Sequence, residues 1–262
     1  MTAPTLLPFG PELFRLDGRV AIITGGAGAI GSMLARGFVA VGAAVVIADR
    51  DPAGATLAAE LVAAGGDALA IPVDVTDEAA VDALVAQTVA RWGRLDILIN
   101  AAGMGGRGAA LDYDRGRFER IFELNVTAMF LCCRAAARVM IPAGGGCIVN
   151  YASIAGLVGY PGNPAYLASK GAVVQLTRAL AMEWAGSGIR VNAIAPGVIE
   201  TAGVASQIAG EPEFYVAFKA RHPLGRFGQA EEMVGPTLFL CAPAASFVTG
   251  VILAVDGGYV AQ

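Results

Sequence analysis

Short runs of apolar, often β-branched residues recur along the whole chain, and segments with helical spacing separate them. Each run has the length of a strand and carries apolar residues at consecutive positions, which is typical of a strand buried on both faces. The pattern predicts seven strands, at residues 20–24, 44–49, 68–73, 95–100, 147–153, 190–195 and 251–255.

The intervening segments repeat apolar residues at helical intervals. One series begins just after the first strand and has the i, i+3, i+4 spacing of a buried helix face: Ile30, Met33, Leu34, Phe38 and Val41. Strands that alternate with helices predict a parallel sheet covered on both sides, the doubly wound Rossmann-type α/β fold. No charge run, repeat or shift in composition marks a second unit. We therefore expect a single domain over residues 16–262 after an N-terminal extension of residues 1–15.

The balance of charge limits the kinds of partner. The 262 residues are 56% hydrophobic and 15% charged, and the formal net charge is -4. A nucleic-acid or anionic-membrane surface needs clustered Lys and Arg, so we expect neither partner and instead a small molecule. The stretch 139–169 has no charged residue but contains prolines and many glycines. That composition excludes a membrane-spanning helix and indicates a site poor in water.

Neither the N-terminal segment nor the cysteines indicate secretion. No positive residue precedes the first apolar residues and prolines interrupt them, so we expect no signal peptide and a cytoplasmic protein. The four cysteines, at positions 132, 133, 147 and 241, form no Cys-x-x-Cys motif, and the chain has one histidine. This pattern favours small apolar core residues over a disulfide framework or a metal site, and we expect no bound metal.

The sequence IITGGAGAIG at residues 22–31 places mostly glycine and alanine between the first strand and the next helix, so few side chains project there. Gly26, Gly28 and Gly31 have the G-x-G-x-x-G spacing of dinucleotide binding, in which bare N–H groups at a helix N-terminus hold a pyrophosphate. Asp49 ends the second strand, 21 residues after Gly28, and is placed to bind a ribose diol. A carboxylate there repels the 2′-phosphate of NADP, so the sequence favours NAD. Arg50 is able to neutralise Asp49 and leaves NADP as the alternative.

The sequence YLASK carries the candidate for proton transfer. Tyr166 and Lys170 are four residues apart, so on a helix both lie on one face and are able to touch. A nearby ammonium stabilises a phenolate, and we expect it to lower the pKa of Tyr166 toward the range of a general acid-base. Ser153 ends the fifth predicted strand, where residues face the ligand crevice. We interpret His222, beside a proline in ARHPLGR, as structural, with a histidine base as the alternative.

Eight motifs, in order and at matching spacing, make the chain resemble the short-chain dehydrogenase/reductase superfamily over nearly its whole length. They are TGGAGAIG (24–31), DV (74–75), NAAG (100–103), the Asn of ELNVTAMF (125), NYAS (150–153), YLASK (166–170), RVNAIAPGVIET (190–201) and DGG (256–258). The resemblance implies an enzyme that transfers a hydride between a nicotinamide cofactor and an alcohol or ketone.

The same resemblance implies a role for each matching residue. Tyr166 is the acid-base, and Ser153 orients and polarises the carbonyl. Lys170 binds the nicotinamide ribose and depresses the tyrosine pKa, and Asn125 holds a water that links Lys170 to bulk solvent. The implied cofactor-binding residues are Gly25, Gly28, Ala29, Ile30, Gly31, Asp49, Arg50, Asp74, Val75, Asn100, Ala101, Gly103, Tyr166, Lys170, Pro196, Gly197, Ile199 and Thr201.

Two positions depart from the family pattern. Ala29 stands where T-G-x-x-x-G-x-G has its middle glycine, and we expect weaker cofactor binding as a result. Ala101 stands where N-N-A-G has its second asparagine, which removes an amide from that turn. Neither departure affects the four catalytic positions.

The sequence says least about the substrate. We expect a secondary alcohol or its ketone, of the polyol, sugar-type or cyclic kind, bound beneath a loop at about residues 201–225. Further expected lining residues are Met104, Arg107, Ile154, Leu157 and Tyr160. The alternatives are an NADPH-dependent 3-ketoacyl carrier-protein reductase, which Asp49 and the acidic composition oppose, and a non-catalytic dinucleotide-binding regulator, which the retained catalytic residues oppose. The resemblance also implies a homotetramer.

Overall fold

A seven-stranded parallel sheet organises the protein, whose computed structural model describes residues 10–201, 204–205, 210 and 212–262. The strands follow the order β3-β2-β1-β4-β5-β6-β7. Their bounds are β1 Val20–Thr24, β2 Ala44–Asp49, β3 Ala68–Pro72, β4 Ile97–Asn100, β5 Gly146–Tyr151, β6 Ile189–Pro196 and β7 Ile252–Val255. The doubly wound fold and the seven strands are therefore confirmed, and the strand ends lie within two residues of the predicted ones.

Helices follow most of the strands, as the apolar spacing predicted. Within the described residues the α-helices are α1 Ala29–Ala40, α2 Ala53–Ala63, α3 Glu78–Trp92, α4 Arg115–Phe122, α5 Ala128–Met140, α6 Pro164–Trp184, α7 Pro212–Ala220 and α8 Val234–Cys241. A π-helical turn, Glu123–Thr127, joins α4 to α5. Of the predicted N-terminal extension, residues 1–9 lie outside the described residues, and Pro11–Phe14 forms a short 3-10 turn. The predicted substrate loop lies partly outside them as well.

The two faces of the sheet carry separate apolar cores. One core joins the sheet to α3, α5 and α6, and the other joins it to α1, α2 and α8. A smaller aromatic cluster, with Tyr215, Phe218, Phe227 and Tyr259 among its members, packs on α7. Among the residues that the structure describes, no helix combines the length and apolar character that a membrane crossing requires.

The strand order reverses between β1 and β4, which opens a crevice at the carboxyl ends of the strands. Because all neighbouring strands pair in parallel, the segments that follow β1, β4, β5 and β6 emerge at this same edge. The fold therefore brings the glycine turn, residues 100–103, Ser153 and residues 196–201 to one place.

Candidate active site

The turn between β1 and α1 has room for a ligand because it lacks side chains. Gly25 has a φ of 66°, and a Cβ there would lie 2.7 Å from the amide nitrogen of Ala102. A Cβ on Gly31 would overlap the Gly25 carbonyl oxygen, so the helix approaches the strand closely. Gly28 precedes the first turn of α1 and offers no side-chain cap, which leaves helix N–H groups for an anion. This glycine cradle fits the pyrophosphate of a dinucleotide.

A cavity of about 220 Å³ continues from this turn toward the ends of β2 and β3. The Asp49 carboxylate accepts a hydrogen bond from the Ala27 amide at 3.0 Å, which ties β2 to the glycine turn. Arg50 lies 3.7 Å from Asp74 and is mostly exposed. Hydrogen bonds from Thr76 lower the pKa of Asp74, so this carboxylate is charged at neutral pH. The lining also includes the predicted residues Gly25, Gly28, Val75, Ala101 and Gly103.

A second cavity, of about 390 Å³, adjoins the first and shares Ala101 and Gly103 with it. It brings three of the four predicted catalytic residues together, Ser153, Tyr166 and Lys170. Its lining also contains the predicted cofactor residues Ile30, Pro196, Gly197, Ile199 and Thr201. Ala29 and Gly31 belong to the start of α1 and line neither cavity.

Tyr166 and Lys170 face each other along α6. The Lys170 ammonium lies 5.6 Å from the centre of the Tyr166 ring and donates a 2.7 Å hydrogen bond to the Tyr151 carbonyl oxygen. Burial lowers the pKa of Lys170 to about 8. Burial also raises the pKa of Tyr166, against the opposing effect of a hydrogen bond from Ser153. The sequence led us to expect a lowered pKa for Tyr166, but the protein groups raise it, because desolvation of the phenolate is the largest effect.

Ser153 lies two residues beyond the end of β5, not within it as the sequence predicted. It is extended, with a φ of -174°, and it precedes the short 3-10 turn Ile154–Gly156. Its hydroxyl accepts a 3.1 Å hydrogen bond from the Ala155 amide and donates to Tyr166. The turn thus fixes the hydroxyl beside the phenol, where both are able to hold one substrate oxygen.

Asn125 occupies the π-helical turn between α4 and α5 and is fully buried. Its side-chain oxygen accepts from the Met104 amide at 2.8 Å, and its amide donates to the Met104 carbonyl and to Ser169. It lies close to Lys170, because a Cβ on Gly103 would be 3.1 Å from Asn125 Oδ1 and 3.6 Å from Lys170 Nζ. Asn125 therefore ties the loop after β4 to α6, next to the lysine.

The side chain of Asn100 does not reach the crevice. It is buried and donates to Asn150 on the neighbouring strand and to the Cys133 sulfur. Asn150 in turn donates to Thr177 of α6. The implied contact of Asn100 with the cofactor is therefore not available to its side chain, which instead joins β4 and β5 to the helices that cover them.

The substrate side of the second cavity contains four of the five predicted lining residues. Met104, Arg107, Ile154 and Tyr160 line it, whereas Leu157 is exposed elsewhere, so that expectation was wrong. The Arg107 guanidinium lies 3.6 Å from the centre of the Phe214 ring. The predicted substrate loop at about 201–225 includes the lining residues Phe214, Tyr215 and Phe218, although the sequence did not single them out individually. Asn163 lies outside the predicted lining and was missed.

His222 does not line the second cavity but lies behind the residues that do. It is buried, its Nδ1 is 3.0 Å from the Phe218 carbonyl oxygen, and its ring packs against Phe227 and Tyr259. The interpretation of His222 as structural agrees with this position. Within the described part of the chain, no group of His, Cys, Asp or Glu side chains is arranged to hold a metal ion.

Comparison with known proteins extends these observations. The family whose profile matches residues 25–260 is described as Enoyl-(Acyl carrier protein) reductase. Galactitol 2-dehydrogenase (L-tagatose-forming) of Cereibacter sphaeroides is 43% identical over 249 residues, which cover 94% of this chain and 97% of that protein. Cis-4-hydroxycyclohexanecarboxylate dehydrogenase of Sinomonas cyclohexanicum is 44% identical over 245 residues, with 93% and 97% covered.

Solved structures show the same relationship. A gluconate 5-dehydrogenase from Burkholderia cenocepacia J2315, crystallised in complex with NADP and tartrate, superposes with a TM-score of 0.92 at 38% identity and covers 96% of this chain and 98% of that one. The match spans the glycine cradle, the catalytic cavity and the sheet between them. The chain belongs to the short-chain dehydrogenase/reductase family of oxidoreductases, as its motifs predicted.

Proposed function

We propose that the protein is an NAD-dependent dehydrogenase that interconverts a secondary alcohol and its ketone, with Tyr166 as the acid-base. One observation carries the proposal: the Tyr166 phenol, bonded by Ser153 and faced by Lys170, lines a cavity that adjoins the glycine cradle. The glycine cradle and the adjoining cavity would hold a nicotinamide dinucleotide, which would supply or accept the hydride. The protein groups have to hold the substrate oxygen and move its proton.

The proton path follows from the contacts of Tyr166. In alcohol oxidation the phenolate oxygen of Tyr166 takes the hydroxyl proton, and in ketone reduction the phenol returns it. The Ser153 hydroxyl holds the same substrate oxygen and stabilises the negative charge that develops on it. Lys170 supplies a positive charge on the next turn of α6, and its burial means that little water screens it.

Asp49 supports NAD as the preferred cofactor. Its carboxylate stands at the end of β2 beside the glycine turn, where a ribose diol is able to donate hydrogen bonds to it. A 2′-phosphate at that point would meet the same negative charge. Arg50 already lies near the carboxylate of Asp74, which competes with a phosphate for its charge.

The described lining of the second cavity supports a hydroxylated substrate. Tyr160, Asn163 and Tyr215 contribute hydroxyl and amide groups, while Ile154 and Phe214 contribute apolar surface. Such mixed walls suit a polyol, a sugar-type alcohol or a cyclic alcohol. The names of two relatives, galactitol 2-dehydrogenase and cis-4-hydroxycyclohexanecarboxylate dehydrogenase, indicate substrates of these kinds.

A carrier-protein reductase is the second candidate, because the matching family profile carries that description. An acidic carrier requires a basic docking surface, and the formal net charge of -4 opposes one. The Asp49 carboxylate opposes the NADPH that such an enzyme uses. A regulator without catalysis is disfavoured because Ser153, Tyr166 and Lys170 are assembled in one cavity.

The test is turnover with a substrate panel. Purified protein is incubated with NAD or NADP and with polyols, cyclic secondary alcohols, hydroxy acids and a 3-ketoacyl thioester, and the redox state of the cofactor is followed by absorbance. We expect turnover of at least one alcohol, faster with NAD. Replacing Tyr166 by Phe should lower kcat by about 10²- to 10⁴-fold.

Tyr259→Phe is the matched control, because the Tyr259 hydroxyl is buried without a hydrogen-bond partner among the described residues. It should keep the activity of the unmodified protein. The proposal fails if no alcohol or ketone reacts with either cofactor, or if Tyr166→Phe keeps most of the activity. Preferred turnover of the thioester with NADPH would favour the carrier-protein reductase instead.

We also propose a homotetramer. Leu111, Met182 and Phe247 are almost fully exposed on different parts of the surface, and association would cover such apolar side chains. Light scattering during size-exclusion chromatography measures the mass directly. A stable monomer would contradict the proposal.

A further inference from the structure

Two of the four thiols meet at the edge of the sheet opposite the catalytic cavity. Cys147 lies at the amino end of β5, and Cys241 is the last residue of α8. The Cys147 sulfur is 3.3 Å from the carbonyl oxygen of Leu240, which directly precedes Cys241. Cys241 and Cys147 also line the same cavity. Two cysteines far apart in the sequence are therefore brought close together by the contact between Cys147 and Leu240.

This thiol pair, Cys147 and Cys241, lines an open cavity. The cavity has a volume of about 580 Å³ and lies at the amino ends of the strands, among residues 94–97, 143–147 and 241–243. Cys147 and Cys241 keep 4% and 7% of their surface exposed. A small solute in this cavity therefore comes close to both cysteines without passing through the catalytic crevice.

Positively charged side chains outnumber negative ones in the described lining of this cavity. Arg19, Arg94 and Arg190 line it together with one acidic residue, Asp96, which forms ion pairs with Arg19 and Arg94. Arg190 is held in place by a 3.2 Å hydrogen bond from Nη1 to the Val248 carbonyl oxygen. Its positive charge favours the thiolate form of Cys147 and so contributes to a lower pKa for that thiol.

These contacts distinguish Cys147 from the other cysteines. The hydrogen bond from Cys241, together with the charge of Arg190, lowers the pKa of Cys147. Burial raises the pKa of Cys132 to about 12 and that of Cys133 further still. Both lie inside α5 against the core, and neither lines this cavity. Because the thiolate is the reactive form, we expect Cys147 to react before the other three thiols.

We propose that Cys147 and Cys241 form a peroxide-sensitive thiol pair that closes reversibly to a disulfide. The Cys147 thiolate attacks one oxygen of hydrogen peroxide: an S–O bond forms, the O–O bond breaks, and the leaving hydroxide is protonated to water. Cys241 then attacks the Cys147 sulfur, so an S–S bond forms, the S–O bond breaks and a second water leaves. Two thiols lose two electrons in total, and the peroxide gains them.

The site is independent of the proposed dehydrogenase reaction. Its residues take no part in the glycine cradle or in the catalytic cavity. Strand β5 nevertheless joins the two regions, because Cys147 stands at its amino end and Ser153 follows its carboxyl end. A disulfide between Cys147 and Cys241 would link the amino end of β5 to the end of α8.

The test uses the full-length protein without any substitution. Protein is treated with hydrogen peroxide, free thiols are blocked, and tryptic peptides are analysed by mass spectrometry with and without dithiothreitol. We expect one cross-linked peptide pair joining Cys147 to Cys241, a mass decrease of about 2 Da for the intact chain, and its reversal by dithiothreitol. A titration of thiols should fall from four to two.

Variants then separate this pair from the other cysteines. Cys147→Ala and Cys241→Ala should each abolish the cross-link, whereas Cys132→Ala should retain it. The proposal is overturned if the unmodified protein yields no Cys147–Cys241 peptide at any peroxide concentration that leaves it folded. It is equally overturned if the cross-link joins Cys132 to Cys133, or if Cys147 proceeds to sulfinic acid with Cys241 still a free thiol.

Discussion

Lys170 and Tyr166 face each other across one turn of α6, with the ammonium nitrogen 5.6 Å from the ring centre. Burial acts on both groups, and in each case it favours the neutral form. The pKa of Lys170 falls to about 8, and the pKa of Tyr166 rises above its usual value. The protein therefore holds a protonated phenol at neutral pH and a lysine that loses its charge in mildly alkaline solution.

This relationship predicts the pH dependence of the reaction. In the proposed reaction, alcohol oxidation needs the phenolate of Tyr166. Because the pKa of Tyr166 is raised, kcat/KM for oxidation should increase with pH through the neutral and alkaline range. The hydrogen bond from Ser153 lowers that pKa. In Ser153→Ala the increase should therefore begin at a higher pH, in addition to a loss of rate. Initial rates across a buffer series measure both effects.

The control for Ser153 is Ser246→Ala, an exposed serine near the far end of the sheet. It should reproduce the profile of the unmodified protein. If the profiles of Ser153→Ala and the unmodified protein coincide in shape, Ser153 does not influence the proton on Tyr166. A rate that is independent of pH throughout would contradict Tyr166 as the base.

The buried charge of Lys170 should also lower the free energy of unfolding. Its pKa is 10.5 in the unfolded chain and about 8 in the folded one, so between these values the unfolded chain binds the additional proton. The cost of burying the charge is therefore complete below about pH 8 and fades as the pH rises toward 10.5. At 1.36 kcal/mol per pKa unit the full cost is about 3 kcal/mol. Lys170→Met should unfold at higher denaturant concentration than the unmodified protein at neutral pH, despite the loss of activity.

The measurement is urea unfolding at neutral pH and at about pH 10, followed by circular dichroism. The gain in the free energy of unfolding should be larger at neutral pH, because only there does the native lysine keep its charge. Lys219→Met, at an exposed position on α7, is the control and should show little change at either pH. An equal gain at both pH values would mean that the lysine charge is not responsible.

The sequence was a good guide to backbone positions and a poorer one to side-chain directions. The seven strands were evident because parallel strands buried on both faces are apolar at successive positions. Asn100 was placed in the right motif, yet its side chain enters the core and pairs with Asn150, because the side on which a strand residue emerges depends on register. The π-helical turn that presents Asn125 has no comparable pattern in the sequence.

The pKa of Tyr166 illustrates a second limit. The spacing of Tyr166 and Lys170 revealed their contact, and the lysine charge led to the expectation of a lowered tyrosine pKa. The spacing contains no information on burial. Burial lowers the pKa of Lys170 and raises the pKa of Tyr166. The lining residue Asn163 was missed for a related reason, because only the folded chain brings this position, directly before α6, to the cavity.

Asp49 should determine the choice between NAD and NADP. Asp49→Asn removes the charge but keeps a side-chain oxygen that is able to accept the hydrogen bond from Ala27. Without the charge a 2′-phosphate is no longer repelled at this point, and the adjacent Arg50 is able to attract it. The ratio of kcat/KM for NADP to that for NAD should rise about 10- to 100-fold.

The control for this ratio is Asp51→Asn, since Asp51 is exposed nearby but does not line the cofactor cavity. Its ratio should stay within experimental error of the unmodified protein. Adding Arg50→Ala to Asp49→Asn should remove part of the gain with NADP. An unchanged ratio in Asp49→Asn would show that this carboxylate does not select the cofactor.

Ala29 provides the last prediction, because it stands at the first position of α1 where the family pattern has glycine. We expect its methyl group to crowd the N–H groups that are left for the pyrophosphate, so Ala29→Gly should lower the Kd for NADH several-fold. Glycine is a poorer helix former, and the same change should cost up to about 1 kcal/mol of stability. Ala40→Gly, at the other end of α1, should carry the stability cost with an unchanged Kd. Fluorescence titration with NADH and thermal unfolding measure the two effects separately, and equal Kd values for all three proteins would mean that the methyl group does not limit binding.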